Sequence, residues 1–244
     1  DGGRFNKKNL GYKQAIKLFK SGSKIVDIGG ESARPGSKEI NVQNEWNRLE
    51  LTLKKLKRKI PLSLDTRKSR IMERGIKFGI KLINDISGLS YDIKSISILK
   101  KYKTPFVINH IKGTPKTMQK KPKYKNVLLD IYDFFEEGIK KIDNKKIIID
   151  PGIGFGKNLK HNLTLISRIS LFHSLGFPIL IGTSRKRFIS QISGVNDSKE
   201  RIGGTVASVL FLLSQGVQVF RVHNVNEVKQ GILVFSKILS NFKN

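Results

Sequence analysis

Cysteine is absent from this chain of 244 residues, which excludes a disulfide framework, a thiolate zinc site and a cysteine nucleophile. Long apolar runs are absent too. The best candidate, residues 206–213, is much shorter than the roughly 18 residues that a membrane-spanning helix needs. The sequence as it starts at Asp1 shows no signal peptide, which would have a basic stretch followed by an apolar stretch. These absences predict a protein of a reducing compartment, located in the cytoplasm and without a membrane partner.

Acidic residues are scarce: 19 stand against 47 basic residues, and the formal net charge is +28. Such a charge is typical of nucleic-acid-binding proteins. However, 35 of the basic residues are Lys, and the chain has 31 Ile but only 3 Ala, a composition typical of AT-biased coding. The lysines are also scattered along the chain instead of being collected in one segment. The sequence therefore predicts a solvated basic surface and no nucleic-acid partner.

Short β-branched runs alternate with stretches of helical period, which is typical of parallel βαβ units. We predict strands at 24–30, 60–66, 82–88, 105–111, 146–152, 178–184 and 217–223. We predict helices near 12–21, 42–57, 69–78, 93–102, 127–142, 162–175, 201–215 and 227–239. No linker or charge block interrupts the pattern, so residues 1–244 are predicted to form a single domain.

Two α/β architectures fit this order, an open doubly wound sheet and a TIM-type (β/α)8 barrel. The length favours the barrel, which takes about 250 residues. Seven strands are predicted instead of eight, and a helix precedes the first of them. We therefore expect the first barrel strand to lie upstream of Asp1.

Polar residues end every predicted strand. In chain order they are Asp27, Asp65, Asn84 with Asp85, Asn109 with His110, Asp150, Ser184 with Lys186, and Arg221 with His223. The carboxyl ends of barrel strands open on one face, where barrel enzymes have their active sites. The sequence therefore predicts one site with two halves. Asp65, Asn84 and Asp150 suit an N–H-rich heterocycle, and cationic donors on the last two strands suit a phosphate.

Three of these features have alternative explanations. Arg221 could form a salt bridge to a barrel carboxylate, and His110 could be a core histidine with its hydrogen bonds satisfied. The glycines after Asp150 match neither the P-loop nor the Rossmann spacing, because Asn158 stands where Ser or Thr would follow Lys157. They are better explained by a turn that brings backbone and Phe155 close to a ligand.

Eight segments, in order, resemble the motifs of the dihydropteroate synthase family. They are DGGRF at residue 1, DIGGESARPG at 27, SLDT at 63, IND at 83, GTPKTMQ at 113, DPGIGFGK at 150, SRK at 184 and RVH at 221. The resemblance extends from Asp1 to about Gln230. It implies a barrel that joins 6-hydroxymethyl-7,8-dihydropterin diphosphate to p-aminobenzoate in folate synthesis, a reaction that sulfonamides target. The family's enzymes use Mg2+ and are commonly homodimers.

The resemblance also implies residue roles. It assigns the pterin ring to Asp65, Asn84, Asp150 and Lys186, the diphosphate to Arg34, Arg221 and His223 with magnesium, and the p-aminobenzoate side to Ser184 and Phe155. Four of these residues would be catalytic: Asp65, Lys186, Arg221 and His223. The diphosphate would leave first, and the arylamine would then attack the cationic methylene carbon.

The chain departs from the family pattern in two places. Ala33 stands where the family has Thr, and the family's metal-binding Asn is expected upstream of Asp1, so no metal ligand is assigned within the chain. Two alternatives remain open. One is a pterin-dependent methyltransferase of the same barrel family, which has no diphosphate to bind. The other is a basic binding protein that has lost catalysis.

Overall fold

The computed structural model describes residues 3–6, 9–34, 36–142 and 146–242. Asp1 and Gly2 of the first motif, and Pro35 of the second, lie outside the described residues. These residues form seven strands: β1 Val26–Gly29, β2 Leu62–Asp65, β3 Leu82–Asp85, β4 Phe106–Asn109, β5 Ile147–Asp150, β6 Leu180–Ile181 and β7 Val219–Phe220. All seven predicted strands are confirmed, each within narrower bounds.

The α-helices are α1 Leu10–Lys20, α2 Val42–Leu56, α3 Ser69–Phe78, α4 Lys94–Tyr102, α5 Val127–Lys140, α6 Leu159–Ser167, α7 Arg187–Ser193, α8 Ile202–Ser214 and α9 Val225–Phe242. The prediction of one helix over 162–175 is wrong in its continuity, because α6 ends at Ser167 and a 3-10 helix, Ile169–Leu175, follows. The sequence analysis also missed α7, which is seven residues long and too short to show a helical period.

The strands are parallel and lie in chain order. β1 to β5 form one sheet, β6 pairs with β7, and a parallel bridge between Ile149 and Ile179 joins the two sheets. In the described residues, β1 and β7 each have one edge without a strand partner. Asn side chains cap the helices that follow three of the loops at the carboxyl ends: Asn41 at α2, Asn126 at α5 and Asn158 at α6.

Alternate strand residues point to opposite sides, and this alternation divides the core in two. The larger apolar cluster joins strands to helices. A separate small cluster consists of Leu82, Val107 and Leu180 with Ile148 and Val219, from five successive strands. Two residues further along these strands come Asn84, Asn109, Asp150, Gly182 and Arg221. An inner apolar layer is therefore followed directly by a mainly polar layer at the carboxyl end, as in a filled barrel.

Candidate active site

Asp27 of β1 contacts two residues of the polar layer. Its Oδ2 accepts hydrogen bonds from Arg221 Nε at 2.7 Å and from Asn84 Nδ2 at 3.1 Å. Its Oδ1 is buried and has no hydrogen-bond partner among the described residues. The sequence analysis noted Asp27 as a strand end but gave it no role. The strand-end position was the available signal, and the contacts show that Asp27 connects the two predicted halves of the site.

Arg221 also donates from a terminal guanidinium nitrogen to Asp65 Oδ2 at 2.9 Å. The salt-bridge alternative for Arg221 is therefore confirmed. The Arg221 side chain is nevertheless 46% exposed, because it borders the open end of the strands. A guanidinium has five N–H groups, so others remain for a ligand while both ion pairs persist.

The Asp65 carboxyl titrates near neutrality. Burial raises its pKa from 3.8 to about 7; the Arg221 guanidinium opposes this rise, and the carboxylates of Asp27 and Asp85 add to it. Asp65 can therefore be present in both its neutral and its charged form at physiological pH.

Asp150 belongs to the polar layer, and the Lys186 ammonium is close enough to interact with its charge. Asp150 is 8% exposed, and its Oδ1 accepts the backbone N–H of Gly152 at 2.8 Å. Burial raises the pKa of Asp150, against the opposing effects of that N–H group and of the Lys186 ammonium. Burial lowers the pKa of Lys186 to about 8, although the Asp150 carboxylate opposes the change. The Lys186 ammonium lies 4.1 Å from the centre of the Phe155 ring, a cation–π contact that places Phe155 beside the layer.

The glycines after Asp150 allow two chain segments to approach closely. Gly152 has φ +70°, and a Cβ there would lie 2.0 Å from the His110 carbonyl oxygen. Gly156 has φ +64°, and its Cβ would lie 2.5 Å from the Lys112 carbonyl oxygen. In this structure the glycines allow the loop after β5 to pack closely against the loop after β4. The same turn brings Phe155 into contact with Lys186.

His110 is a buried core histidine. Its Nδ1 lies 2.9 Å from Lys157 Nζ, and its ring meets Phe134 edge-on with centroids 4.9 Å apart. Burial and the nearby Lys157 lower the pKa of His110 to about 2, so the imidazole is neutral. The alternative of a satisfied core histidine is therefore confirmed. Lys157, which the sequence analysis used only to test the P-loop spacing, is His110's partner.

Ser184 and His223 are hydrogen-bonded to each other. Ser184 Oγ lies 3.0 Å from His223 Nδ1 and accepts the His223 backbone N–H at 3.2 Å. Burial, with the charges of Arg185 and Arg221, lowers the pKa of His223 to about 4. His223 is thus neutral near pH 7 in this structure, which contradicts the expectation of a cationic donor at this position.

Arg34 lies apart from the polar layer, on the exposed loop between β1 and α2. Its neighbour Ala33 lines a small pocket together with Asp65 and Thr66. The structure thus brings together Asp65, Asn84, Asp150, Lys186 and Arg221, with Phe155, Ser184 and His223 at the edge and Arg34 on the loop above.

Comparison with known proteins agrees with this geometry. The model of the family described as pterin binding enzyme matches residues 1–223. A dihydropteroate synthase of Escherichia coli strain K12 is 36% identical over 247 residues, covering 98% of this chain and 87% of that protein. A crystal structure of the Yersinia pestis dihydropteroate synthase with a sulfonamide drug complex is 33% identical, with a TM-score of 0.93, covering 99% of this chain and 89% of that one. The Xanthomonas albilineans dihydropteroate synthase with 4-aminobenzoic acid is 30% identical, with a TM-score of 0.88, covering 98% and 88% of the two chains.

The chain therefore belongs to the pterin binding enzyme family and, within it, to the dihydropteroate synthases. The predicted barrel fold and the family resemblance are confirmed. Across the described residues, no helix combines the length and apolar character needed to span a bilayer.

Proposed function

We infer that the chain joins 6-hydroxymethyl-7,8-dihydropterin diphosphate to 4-aminobenzoate, giving 7,8-dihydropteroate and diphosphate in folate biosynthesis. The observation that carries this conclusion is a group of polar residues on or directly after the strands, in a chain 36% identical to a dihydropteroate synthase over nearly its whole length. The group consists of Asp27, Asp65, Asn84, Asp150 and Arg221. The relatives crystallised with 4-aminobenzoic acid and with a sulfonamide support the second substrate.

The pterin ring is proposed to bind at Asn84, Asp150 and Lys186, with Asp65 beside them. Asp150 is buried, and within the described part of the chain its carboxylate accepts one backbone N–H, from Gly152. A buried carboxylate needs further donors to offset its desolvation, and the N–H edge of a pterin supplies them.

The diphosphate is proposed to bind at Arg221 and His223, with Arg34 reaching it from the loop above. Arg221 has guanidinium N–H groups left over after its two carboxylate contacts, and it is exposed to the open end of the strands. A bound dianion would favour the protonated form of His223, whose pKa is otherwise lowered by burial and by the nearby arginines. The methyltransferase alternative leaves this anion site without a ligand.

In the reaction, the bond between the pterin methylene carbon and the diphosphate oxygen breaks, and its electron pair leaves with diphosphate. The arylamine nitrogen then bonds to the methylene carbon and loses a proton. The charge on Arg221 stabilises the leaving diphosphate, and ionised Asp65 stabilises the cationic carbon. Phe155 and Ser184 are proposed to border the arylamine side.

Magnesium is a further proposal, drawn from the family resemblance. In residues 3–6, 9–34, 36–142 and 146–242, no group of three His, Asp or Glu side chains could hold a metal ion. The described residues therefore do not form a metal site of their own. We propose that Mg2+ arrives with the diphosphate, since Mg2+ keeps several waters and often binds through substrate phosphates. Titration of free Mg2+ against the rate of product formation tests this, and a rate unchanged by chelator contradicts it.

A homodimer is also proposed, and exposed apolar side chains on the outer helices support it. Leu163 of α6 and Phe211 of α8 line one groove, and Leu233 and Ile238 of α9 are 61% and 62% exposed. Exposed apolar patches of this kind commonly mark interfaces. Light scattering during size-exclusion chromatography should give twice the chain mass, and a monomer at all concentrations would contradict the proposal. The cytoplasmic location and the lack of a nucleic-acid partner stay predictions.

The condensation itself is tested by incubating the full chain with both substrates and separating dihydropteroate by chromatography. Product that requires both substrates, with one diphosphate released per dihydropteroate, is the expected result. No product from a chain that binds the pterin diphosphate would favour the binding-protein alternative.

A further inference from the structure

Glu31, in the loop after β1, has a buried carboxylate with four donors. Its Oε1 accepts the Ile40 backbone N–H at 2.9 Å and a terminal N–H of Arg67 at 3.3 Å. Its Oε2 accepts Arg67 Nε and Lys68 Nζ, each at 3.0 Å. The Glu31 side chain is only 9% exposed. One carboxylate therefore ties the first residue of the segment 31–40 to the last, and both to the residues that follow β2.

The network continues into the interior. Lys68 Nζ also donates to Glu45 Oε2 at 2.7 Å, and the other Glu45 oxygen accepts Thr66 Oγ1 at 2.6 Å. Glu45 is fully buried. Buried charges are tolerated when every one is paired, and removing one partner leaves another uncompensated. Burial alone would raise the pKa of Glu31, but its contacts with Arg67, Ile40 and Lys68 lower it, so Glu31 is charged.

The segment that Glu31 fixes lies beside Asp65. Ser32 and Ala33 line a small pocket with Asp65, Ile86 and Pro115. The Gly36 backbone N–H donates to the Pro115 carbonyl at 3.0 Å, so the loop after β1 meets the loop after β4 above the pocket. Asn84 and Asp150, the proposed ring contacts, do not line this pocket.

Arg67 is itself held in a fixed orientation. Its guanidinium lies 4.0 Å from the centre of the Tyr91 ring, and the Tyr91 hydroxyl donates to Glu39. A planar guanidinium stacked on a ring presents its N–H fork in one direction, which a lysine cannot reproduce. The two-point contact between Arg67 and Glu31 therefore sets the direction of the loop as well as its distance.

We propose that Glu31 is a positioning residue that, through Arg67 and Lys68, fixes residues 31–34 and 36–40 beside Asp65 for the condensation step. The inference rests on the proposed function, because Asp65 and the loop residue Arg34 are assigned to that reaction. On this proposal, the polar layer is sufficient to bind the pterin ring. Turnover additionally requires that the loop after β1 is held in place.

Glu31→Gln tests the inference, and Glu39→Gln is its matched control. Glu39 belongs to the same segment and also pairs with Arg67, at 3.5 Å, but its side chain is 55% exposed. Glu31→Gln should lower kcat/KM for condensation about 10- to 100-fold, because small displacements of positioned groups have effects of that size. Its calorimetric affinity for 6-hydroxymethylpterin should stay within about twofold of the wild type. Glu39→Gln should lower kcat/KM much less than Glu31→Gln does, because its amide oxygen can still accept the Tyr91 hydroxyl and its ion pair with Arg67 is exposed.

Hydrogen exchange of the peptide that contains residues 31–40 gives a readout independent of activity. Glu31→Gln should speed exchange in this peptide, and Glu39→Gln should not. If Glu31→Gln does not fold, Arg67→Lys is tested instead. This variant keeps the positive charge but loses the two parallel N–H groups that contact Glu31. It should likewise lower kcat/KM while leaving the affinity for 6-hydroxymethylpterin within about twofold of the wild type. Equal kcat/KM values for Glu31→Gln and Glu39→Gln in an active wild-type background would overturn the inference, as would a parallel loss of pterin affinity. An inactive wild-type chain would instead overturn the proposed function.

Discussion

Arg221 at the end of β7 donates its Nε–H to Asp27 of β1 at 2.7 Å, which joins the last described strand to the first across 194 residues of sequence. The same guanidinium contacts Asp65 of β2. A side chain at the open end of the strands thus connects three of them. The same position suits an anion-binding role, because carboxylates fix the guanidinium while part of it stays exposed.

Asp150→Asn should weaken pterin binding. The carboxylate only accepts hydrogen bonds, whereas an amide would point donors at the donors of the pterin ring, a mismatch of about 2–3 kcal/mol. Calorimetry with 6-hydroxymethylpterin measures the loss. A folded variant with unchanged affinity would remove Asp150 from the site.

Asp65→Asn should change the pH dependence of stability. Because the pKa of Asp65 is raised from 3.8 to about 7, the folded state holds a proton in this range that the unfolded state has released. The contribution of Asp65 to the free energy of unfolding is therefore favourable at the acid end and is lost as pH rises through about 7. The Tm of the wild type relative to Asp65→Asn should fall as the pH increases across this window. A difference that stays constant would show that the Asp65 pKa is not raised.

Gly152→Ala should destabilise the chain because the new Cβ would lie 2.0 Å from the His110 carbonyl oxygen, at φ +70°. A loss of more than about 2 kcal/mol in the free energy of unfolding is expected from the clash and the strained backbone. Gly138→Ala is the matched control, because a Cβ there meets no atom within 4 Å. In the last turn of α5 this change should stabilise slightly, by up to about 0.5 kcal/mol. Similar denaturation midpoints for the two variants would contradict the close approach of the loops after β4 and β5.

Ala33→Thr should improve binding of the pterin diphosphate. Ala33 lines the small pocket beside Asp65, at the position where the family pattern has a hydroxyl. One added hydrogen bond of about 0.5–1.5 kcal/mol corresponds to a roughly two- to tenfold lower KM. Ala33→Val adds the same volume without the hydroxyl and is the control. Equal KM values for the Thr and Val variants would show that the hydroxyl makes no contact with the substrate.

The strands, and the side of the fold on which the site lies, could be predicted from the sequence because short local patterns indicate both. An apolar run followed by a polar residue, as in Leu82–Asp85, shows a buried strand and its carboxyl end within a few positions. Pairings between distant residues leave no such signal. The Asp27–Arg221 ion pair, the bond between Ser184 and His223, and the burial of Lys157 against His110 depend on how the loops fold together. The neutral state of His223 likewise follows from burial and from neighbouring cations, not from residue type.

The central claim is that Arg221 binds the diphosphate in addition to joining β7 to β1 and β2. Calorimetric titration of Arg221→Ala with 6-hydroxymethyl-7,8-dihydropterin diphosphate, alongside its melting curve, tests this most directly. We predict at least about a tenfold loss of affinity in the folded variant, as for a lost hydrogen bond to a charged group, together with a lower Tm because Asp27 and Asp65 lose their cation. A variant that melts far below the wild type while its folded fraction binds the pterin diphosphate with unchanged affinity would contradict the claim and leave Arg221 a structural ion pair.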